Sequence, residues 1–208
     1  MTPGTAYDYI AQEFAGLRTC LLPHEREYLA LVCAGCPPGS TILDLGCGTG
    51  TPVAVHLVAQ GYRVVGVDGS APMLAQAVAT LPGERWIHAL MEEVDFGPDD
   101  FAGAVVWDSL FHLPRRQYGP VLRKVYRWLR SGGRLMVSSG GRVEDDAGFT
   151  DTMFGHEFYY DSLPPAEMMA LVEEIGFAII RAEMCDPPTQ GQNKGKWATV
   201  AQKPYQIN

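Results

Sequence analysis

The chain has 208 residues, with 24 acidic and 16 basic side chains, which gives a formal net charge of −8. Its 47% hydrophobic and 19% charged residues are typical of a globular domain and exclude a disordered chain. The acidic balance argues against a long stretch of nucleic acid as partner, because that affinity depends on neutralised phosphates. The length predicts a single domain, residues 1–208.

Two helices are predicted in the first 38 residues. Apolar residues at helical spacing predict the first helix from Thr5 to Cys20. The second runs from Pro23 to Cys33 and stops before a proline pair and a glycine.

Strand and helix patterns then alternate as far as residue 139. The predicted strands are 41–45, 63–67, 86–89, 103–107 and 134–139, and the predicted helices are 53–60, 71–80 and 118–129. This alternation is typical of a parallel sheet with helices on both faces. The tail adds a helix over 164–175 and a hairpin-like pair of strands over 177–184 and 196–202. The sequence therefore predicts an α/β, Rossmann-like, doubly wound and mostly parallel seven-stranded sheet with an antiparallel C-terminal strand.

A glycine-rich loop follows the first strand, in the segment Asp44-Leu-Gly-Cys-Gly-Thr-Gly50. Glycines there allow a tight turn and a close approach of the backbone to a ligand. A dinucleotide fingerprint would place its third glycine at Thr51, so this spacing disfavours NAD. Asp44 would repel a pyrophosphate but can pair with a ligand ammonium group. Asp68 ends the second strand about 20 residues further on, where a carboxylate can accept hydrogen bonds from ribose hydroxyls.

Together these motifs resemble the class I S-adenosylmethionine-dependent methyltransferases, and the resemblance covers nearly the whole chain. The matching stretches are residues 42–50, 64–74, 96–113, 122–137 and 168–177. The resemblance implies S-adenosyl-L-methionine as cofactor and S-adenosyl-L-homocysteine as product. It assigns to the cofactor site Asp44, Gly46, Cys47, Gly48, Gly50, Asp68, Gly69, Ser70, Met73, Met91, Glu92 and Trp107.

One part of the cofactor site departs from the family pattern. Relatives often carry an acidic residue for the adenine where this chain has Leu90. Either Glu92 substitutes for that acid, or backbone groups at Met91 contact the base. Trp107 is expected beneath the sulfonium by cation–π attraction, although a plain core position is an equal alternative.

The acceptor side is expected to be built from the N-terminal helices, 1–38, as part of a lid, and from an insertion, 140–164. Methyl transfer needs alignment and, for some acceptors, a base. His112 and His156 are the candidate catalytic residues; the alternative is a structural position for His112 and a solvated loop for His156. The residues assigned to acceptor binding are Tyr7, Phe14, Phe111, Tyr159 and Tyr160.

Cysteine usage and the N-terminus predict a cytoplasmic protein. The five cysteines are an odd number, which suits a reducing compartment, and no basic n-region or long apolar run indicates secretion or a membrane span. Cys33 and Cys36 have redox-like spacing but follow a helix, which favours a turn. No metal site is predicted.

The leading hypothesis is a methyltransferase that acts on a small-molecule acceptor by direct displacement, as a monomer or homodimer. The alternatives are a non-catalytic cofactor-binding module and a protein methyltransferase, with an NAD-dependent oxidoreductase disfavoured by the loop spacing. The sequence leaves open whether oxygen, nitrogen, carbon or sulfur accepts the methyl group.

Overall fold

A computed structural model of the chain describes residues 6–141, 148–189 and 195–205. Within these ranges the helices are α1 (Ala11–Leu17), α2 (Pro23–Cys33), α3 (Val53–Ala59), α4 (Ala71–Thr80), α5 (Tyr118–Trp128) and α6 (Pro165–Ile175). The strands are β1 (Thr41–Leu45), β2 (Arg63–Asp68), β3 (Arg85–His88), β4 (Phe101–Val106), β5 (Leu129–Gly140), β6 (Phe149–Met153), β7 (His156–Tyr160), β8 (Ala178–Asp186) and β9 (Lys196–Gln202). Two 3₁₀ turns, Leu110–His112 and Arg115–Gln117, connect β4 to α5.

Seven strands form the central sheet in the order β3-β2-β1-β4-β5-β9-β8. β1, β2, β3, β4 and β5 pair in parallel, whereas β9 is antiparallel to both β5 and β8. The predicted fold class, including its antiparallel C-terminal strand, is confirmed. In this order the carboxyl ends of β1, β2 and β4 meet at one edge of the sheet, where doubly wound folds bind their ligands.

The central strands are apolar because both faces of the sheet are covered. Leu43 and Leu45 of β1 contribute to the cluster beneath α5 and α6, while Ile42 contributes to the cluster beneath α2 and α3. Side chains alternate between faces along a strand, so one short apolar run supplies both clusters. This two-sided burial holds the loops at the carboxyl edge on a rigid base.

The predicted N-terminal helix is interrupted by a turn and ends early, at Leu17. Ala6 and Tyr7 are helical, but α1 begins only at Ala11, because the N–H groups of Tyr9 and Ile10 bond to carbonyl oxygens only three residues back, at Ala6 and Tyr7. Such tight turns interrupt an α-helix. The part of the predicted helix before residue 6 lies outside the described residues.

The predicted insertion contains an element that the sequence did not indicate. β6 and β7 form a two-stranded antiparallel hairpin that is separate from the main sheet. Residues 142–147 of the insertion lie outside the described residues. In the described ranges, no helix has the length and apolar character needed to cross a membrane.

Candidate active site

A pocket opens at the carboxyl edge of the sheet and encloses about 910 Å³ of space outside the protein atoms, part of it continuous with solvent. Its wall contains most of the predicted site residues. Those that line it are Tyr7, Phe14, Asp44, Gly46, Cys47, Gly48, Asp68, Gly69, Met73, Met91, Glu92, Trp107 and His112. Those that lie outside the lining are Gly50, Ser70, Phe111, His156, Tyr159 and Tyr160.

The glycine loop after β1 forms the floor of the pocket. Gly46 has a φ of +82°, and a Cβ atom there would lie 2.2 Å from the Cβ of Ser109. Only glycine fits a position with both a left-handed backbone and so close a neighbour. The N–H groups of Gly46 and Cys47 both bond to the carbonyl of Val67, at 2.7 and 3.0 Å, which ties the loop to the end of β2.

Asp44 is the buried carboxylate at the end of β1. It is 3% exposed, and its Oδ2 atom has no hydrogen-bond partner among the residues that the structure describes. Burial, together with repulsion from Asp68, raises the pKa of Asp44 to about 7. A buried oxygen without a partner on a pocket wall fits a cationic ligand group such as an ammonium.

Asp68 at the end of β2 is held by backbone donors. Its Oδ2 accepts a hydrogen bond from the N–H of Gly48 and its Oδ1 from the N–H of Ser70, both at 2.8 Å. Burial raises the pKa of Asp68, and these two hydrogen bonds offset part of that rise. Each carboxylate oxygen keeps a lone pair that can accept from a ligand hydroxyl, as the prediction of a ribose contact requires.

Two residues predicted to contact the cofactor have other roles in the structure. Ser70 is fully buried as the N-cap of α4, where its Oγ accepts from the N–H of Met73 at 3.4 Å. Gly50 packs against an aromatic ring, since a Cβ there would lie 2.9 Å from the Cη2 of Trp86. Both residues shape the loops beside the pocket without lining it.

The segment from Leu90 to Val94 forms the far wall. The N–H groups of Glu93 and Val94 both bond to the carbonyl of Leu90 at 3.0 Å, so the segment is a single helical turn. Leu90, Met91 and Glu92 line the pocket. Both residues named in the predicted alternatives for base contact, Met91 and Glu92, therefore belong to the pocket lining, and the choice between them stays a prediction.

His112 and Tyr7 form a hydrogen-bonded pair on the opposite side of the pocket. His112 Nδ1 lies 3.0 Å from the carbonyl oxygen of Tyr159, and its Nε2 lies 2.9 Å from the hydroxyl of Tyr7. Because a carbonyl can only accept, Nδ1 carries the proton, and Nε2 accepts the proton of the Tyr7 hydroxyl. The imidazole is thereby fixed in one tautomer with its basic nitrogen towards Tyr7.

Burial keeps this pair uncharged. It lowers the pKa of His112 to about 4, against the opposing effect of the hydrogen bond to Tyr159. It also raises the pKa of Tyr7 well above its ordinary value, with Tyr160, Asp68 and Asp108 adding to the rise. At neutral pH the pair is a neutral phenol that donates to a neutral imidazole.

The aromatic residues of the insertion support the site from behind. Tyr160 packs against His112 at a ring-centroid distance of 4.9 Å and stacks on Phe111 at 5.9 Å. Tyr159 contributes its carbonyl to His112 and directs its hydroxyl to Asp161 at 3.2 Å. Tyr159 and Tyr160 of the hairpin and Phe111 of the 3₁₀ turn therefore lie in a layer behind the pocket lining. They do so because the hairpin packs on the turn that carries His112.

His156 is placed apart from the pocket. Its ring stacks on Tyr9 with a centroid separation of 5.0 Å and an interplanar angle of 5°. Tyr9 itself is 64% exposed. His156 lies in strand β7 and not in a loop, and among the described residues it is not part of the pocket lining, so a catalytic role for it stays a prediction without support from its position.

A charged network that the sequence did not indicate closes the remaining side. Arg18 lines the pocket and forms ion pairs with Glu25 at 3.0 Å and with Asp108 at 3.2 Å. Trp107 donates its indole N–H to Glu25 at 2.8 Å, and Lys196 lies 5.3 Å from the centroid of its ring. These partners are far apart in sequence, so local patterns do not predict the network. The one signal in the sequence was that Asp108 lies two residues after the buried strand β4.

Cys33 and Cys36 are both unpaired and form a turn. The N–H of Cys36 bonds to the carbonyl of Cys33 at 2.9 Å, and burial, with the neighbouring Cys36, raises the pKa of Cys33 to about 12. A thiol with so high a pKa is a poor nucleophile at neutral pH. In the described ranges, no three His, Cys, Asp or Glu side chains are grouped so that they could hold a metal ion.

Comparison with known proteins connects this pocket to methyltransferases. A family model described as a methyltransferase domain matches residues 42–133, from β1 to β5. The chain is 33% identical over 135 residues to (+)-O-methylkolavelool synthase of Herpetosiphon aurantiacus, which is 60% of this chain and 46% of that protein. It is 32% identical over 121 residues to 2-phytyl-1,4-naphtoquinone methyltransferase of Thermosynechococcus vestitus, which is 56% of this chain and 53% of that protein. The chain thus spans about half the length of these two relatives.

A solved structure shows the same fold. The 1,6-didemethyltoxoflavin-N1-methyltransferase of Burkholderia thailandensis, with bound 1,6-didemethyltoxoflavin and S-adenosylhomocysteine, superposes with a TM-score of 0.66. The match covers 98% of this chain and 91% of that chain at 21% identity. At this identity the likeness supports the fold and not the substrate.

Proposed function

We propose that this chain is a class I S-adenosylmethionine-dependent methyltransferase that transfers a methyl group from S-adenosylmethionine to a small-molecule acceptor by direct displacement. The observation that carries the proposal is a pair of carboxylates at the ends of β1 and β2, the buried Asp44 and the partly buried Asp68. They flank the glycine loop on one pocket wall, and Asp44 has an oxygen that lacks a partner among the described residues.

The residues present fit this cofactor. Asp44 would pair with the methionine ammonium, and the backbone of Gly46 and Gly48 would border the methionine and the sugar. Asp68 would accept hydrogen bonds from the two ribose hydroxyls, and the turn at Met91 would contact the base. When bound, the cofactor supplies a methyl group already activated by the sulfonium. The protein therefore has mainly to align the acceptor and to remove water.

Tyr7 and His112 supply a route for a proton. An acceptor hydroxyl or N–H that donates to the Tyr7 oxygen passes its proton there, while Tyr7 passes its own proton to His112 Nε2. With S-adenosylmethionine held by Asp44, Asp68 and the glycine loop, the cofactor would supply the methyl group to the acceptor atom and would be released as S-adenosylhomocysteine. In this proposal His112 is the final base and Tyr7 contacts the acceptor, with Phe14 and Leu113 as apolar walls.

A small acceptor is supported by the size of the site and by the named relatives. The residues that line the pocket on the acceptor side come from the N-terminal segment and from the turn after β4, and they form a concave pocket that is partly open to solvent. The two relatives that match in sequence are named for an O-methylated product and for a naphtoquinone. Five unpaired cysteines also suit a reducing, cytoplasmic compartment.

The first experiment is calorimetric titration of the wild-type chain with S-adenosylmethionine and S-adenosylhomocysteine. We expect both to bind, and we expect Asp68→Ala to weaken both. A panel of hydroxylated and aminated small molecules is then tested for S-adenosylhomocysteine release. Failure to bind either nucleoside would overturn the proposal. Binding without turnover on small molecules or on peptides would favour the non-catalytic module, and turnover on peptides alone would favour a protein methyltransferase.

A further inference from the structure

A lysine outside the pocket lining holds the turn that faces the nucleoside base. Lys124 of α5 directs its Nζ atom to the carbonyl oxygens of Met91, Glu92 and Val94, at 3.2, 3.0 and 2.7 Å. We propose that Lys124 is a positioning residue that fixes the Leu90–Val94 turn in the shape that selects the base of the cofactor. This inference rests on the proposed function.

The geometry of the turn explains why a cation is needed there. The turn begins at Leu90, whose carbonyl accepts from the N–H groups of both Glu93 and Val94. The carbonyls of Met91, Glu92 and Val94 point instead towards Lys124, at the carboxyl end of the turn. Carbonyl groups at the end of a helical turn carry partial negative charge, which a lysine ammonium can satisfy.

The chemistry suits lysine better than other side chains. An ammonium has three donors around one atom, and here each meets a separate carbonyl. The side chain is also held in place, since its Nζ lies 5.4 Å from the ring centroid of Trp128, one helical turn further along α5. The position of the ammonium is therefore fixed by α5.

The same helix secures the segment that follows the turn. Trp128 donates its indole N–H to Asp95 at 3.0 Å, and Arg127 forms an ion pair with the same carboxylate. Lys124 thus belongs to a set of three α5 residues that anchor residues 91–95. Of the three, only Lys124 bonds to the turn that lines the pocket.

Selection of the base depends on this turn more strongly than in relatives that carry an acid for the adenine. The chain has Leu90 at that position, so the backbone of Met91 and the residue Glu92 would have to make the polar contacts to the base. Backbone groups select a ligand only if the backbone keeps one conformation. Lys124, which does not reach the pocket, sets that conformation through three carbonyls.

The test compares Lys124→Met with Arg123→Met as matched control. Arg123 is the neighbouring cation on α5, and its half-exposed side chain pairs with Glu174 on the surface. Two ligands are titrated calorimetrically: S-adenosylhomocysteine and S-inosylhomocysteine, in which hypoxanthine replaces adenine. We expect Lys124→Met to weaken S-adenosylhomocysteine binding by about tenfold and to reduce its preference over the inosyl analogue by about fivefold, because charge-assisted hydrogen bonds to the turn are lost. Arg123→Met should change neither quantity by more than about twofold.

A second variant separates an effect on base preference from a general loss of folding. Lys124→Arg keeps the charge, but its planar fork cannot direct three donors from one atom to three carbonyls, so the preference for adenine should also fall. If both Lys124 variants bind S-adenosylhomocysteine less tightly, or melt earlier, with an unchanged preference, Lys124 is merely structural and the inference is overturned. If the wild-type chain binds neither S-adenosylmethionine nor S-adenosylhomocysteine, the proposed function itself fails.

Discussion

At the scale of single residues, Asp44 shows how binding and stability oppose each other. Its carboxylate is buried with one oxygen lacking a described partner, and its pKa is raised to about 7. A raised native pKa means that the folded chain holds a proton that the unfolded chain releases near pH 4. The free energy of unfolding therefore falls as pH rises from about 4 to about 7, and the cost remains at higher pH.

Asp44→Asn should accordingly stabilise the ligand-free protein. At pH 8 we expect the free energy of unfolding to rise by up to a few kcal/mol, because the buried charge is removed. Urea unfolding without ligand measures this, with Asp186→Asn, an exposed aspartate at the end of β8, as control. The control should change stability by less than about 0.5 kcal/mol. A less stable Asp44→Asn protein would show that Asp44 has a structural partner.

The same carboxylate should make cofactor binding depend on pH. Below its pKa, Asp44 must lose a proton before it can pair with the methionine ammonium, so affinity for S-adenosylmethionine should rise between pH 5.5 and 7.5. The rise should approach about tenfold per pH unit at the acid end. Calorimetry at four pH values measures the slope, and Asp44→Asn should bind weakly with a flatter profile. An equally steep profile in the variant would move the effect to another group, such as Asp68.

Tyr7 and His112 allow a test of the proposed proton route. Tyr7→Phe keeps the ring packed against Phe14 and Phe158 but removes the hydrogen bond to His112. For a hydroxyl acceptor we expect kcat to fall by about 10- to 100-fold. The Kd for S-adenosylhomocysteine should stay within about twofold.

The control for this prediction is Tyr9→Phe, since Tyr9 is exposed and stacks on His156. It should leave kcat unchanged. Because the pKa of His112 is lowered to about 4, protonation of His112 should not reduce kcat between pH 6 and 8. A Tyr7→Phe protein with wild-type kcat would remove Tyr7 and His112 from the chemistry.

At the scale of elements, the sequence predicted those strands whose positions are determined by local residue patterns. The strands at the centre of the sheet are short apolar runs followed by glycine or aspartate, and their predicted positions lie within two residues of those observed for β1 and β4. Asp44 and Asp68, both predicted for the cofactor, reach the pocket because each lies at the carboxyl end of a strand, and their role there stays a prediction. The hairpin β6–β7 was not predicted, since its pairing joins aromatic and polar residues, and its buried Phe158 packs against the N-terminal segment, which is distant in sequence. For the same reason Phe111, Tyr159 and Tyr160 were expected in the pocket but lie behind it.

The glycine loop offers a test of packing at the element scale. Gly50 and Gly61 both have left-handed φ, of +73° and +85°, but only Gly50 lies against a neighbour, the ring of Trp86. That ring cannot move freely, because its N–H bonds to the carbonyl of Leu81 at 3.1 Å and it also packs on Gly66.

Gly50→Ala and Gly61→Ala therefore separate backbone strain from steric overlap. Strain alone should cost each variant about 1–2 kcal/mol. Overlap with Trp86 should cost Gly50→Ala at least about 1 kcal/mol more. Urea unfolding measures both, and equal losses would mean that Trp86 can shift and that Gly50 matters for its backbone alone.

At the scale of the whole molecule, the core is divided unequally. Two large clusters cover the two faces of the sheet, whereas Ala6, Ile10 and Phe158 form a third, small cluster between the N-terminal segment and β7. α1 is further tied to the body by the hydrogen bond from Gln76 to the carbonyl of Ala11 at 2.7 Å and by the Arg18 ion pairs. Segments with little buried apolar surface open at lower free energy than the rest of a fold.

This unequal division of the core predicts which segments will change their rate of amide hydrogen exchange when a ligand binds. Amide hydrogen exchange in α1 and in β6–β7 should be faster than in β1 and β4 without ligand. S-adenosylhomocysteine should slow exchange in α1 and in the residues beside it, because Phe14 of α1 and the flanking Tyr7 and Arg18 line the pocket it would occupy. Arg18→Met removes the ion pairs to Glu25 and Asp108 and should speed exchange in α1 while leaving β4 unchanged. Hydrogen–deuterium exchange with mass spectrometry measures each segment separately. Uniform protection across the whole chain would show instead that α1 opens only with the sheet, so that acceptor entry cannot depend on a local opening of the N-terminal segment.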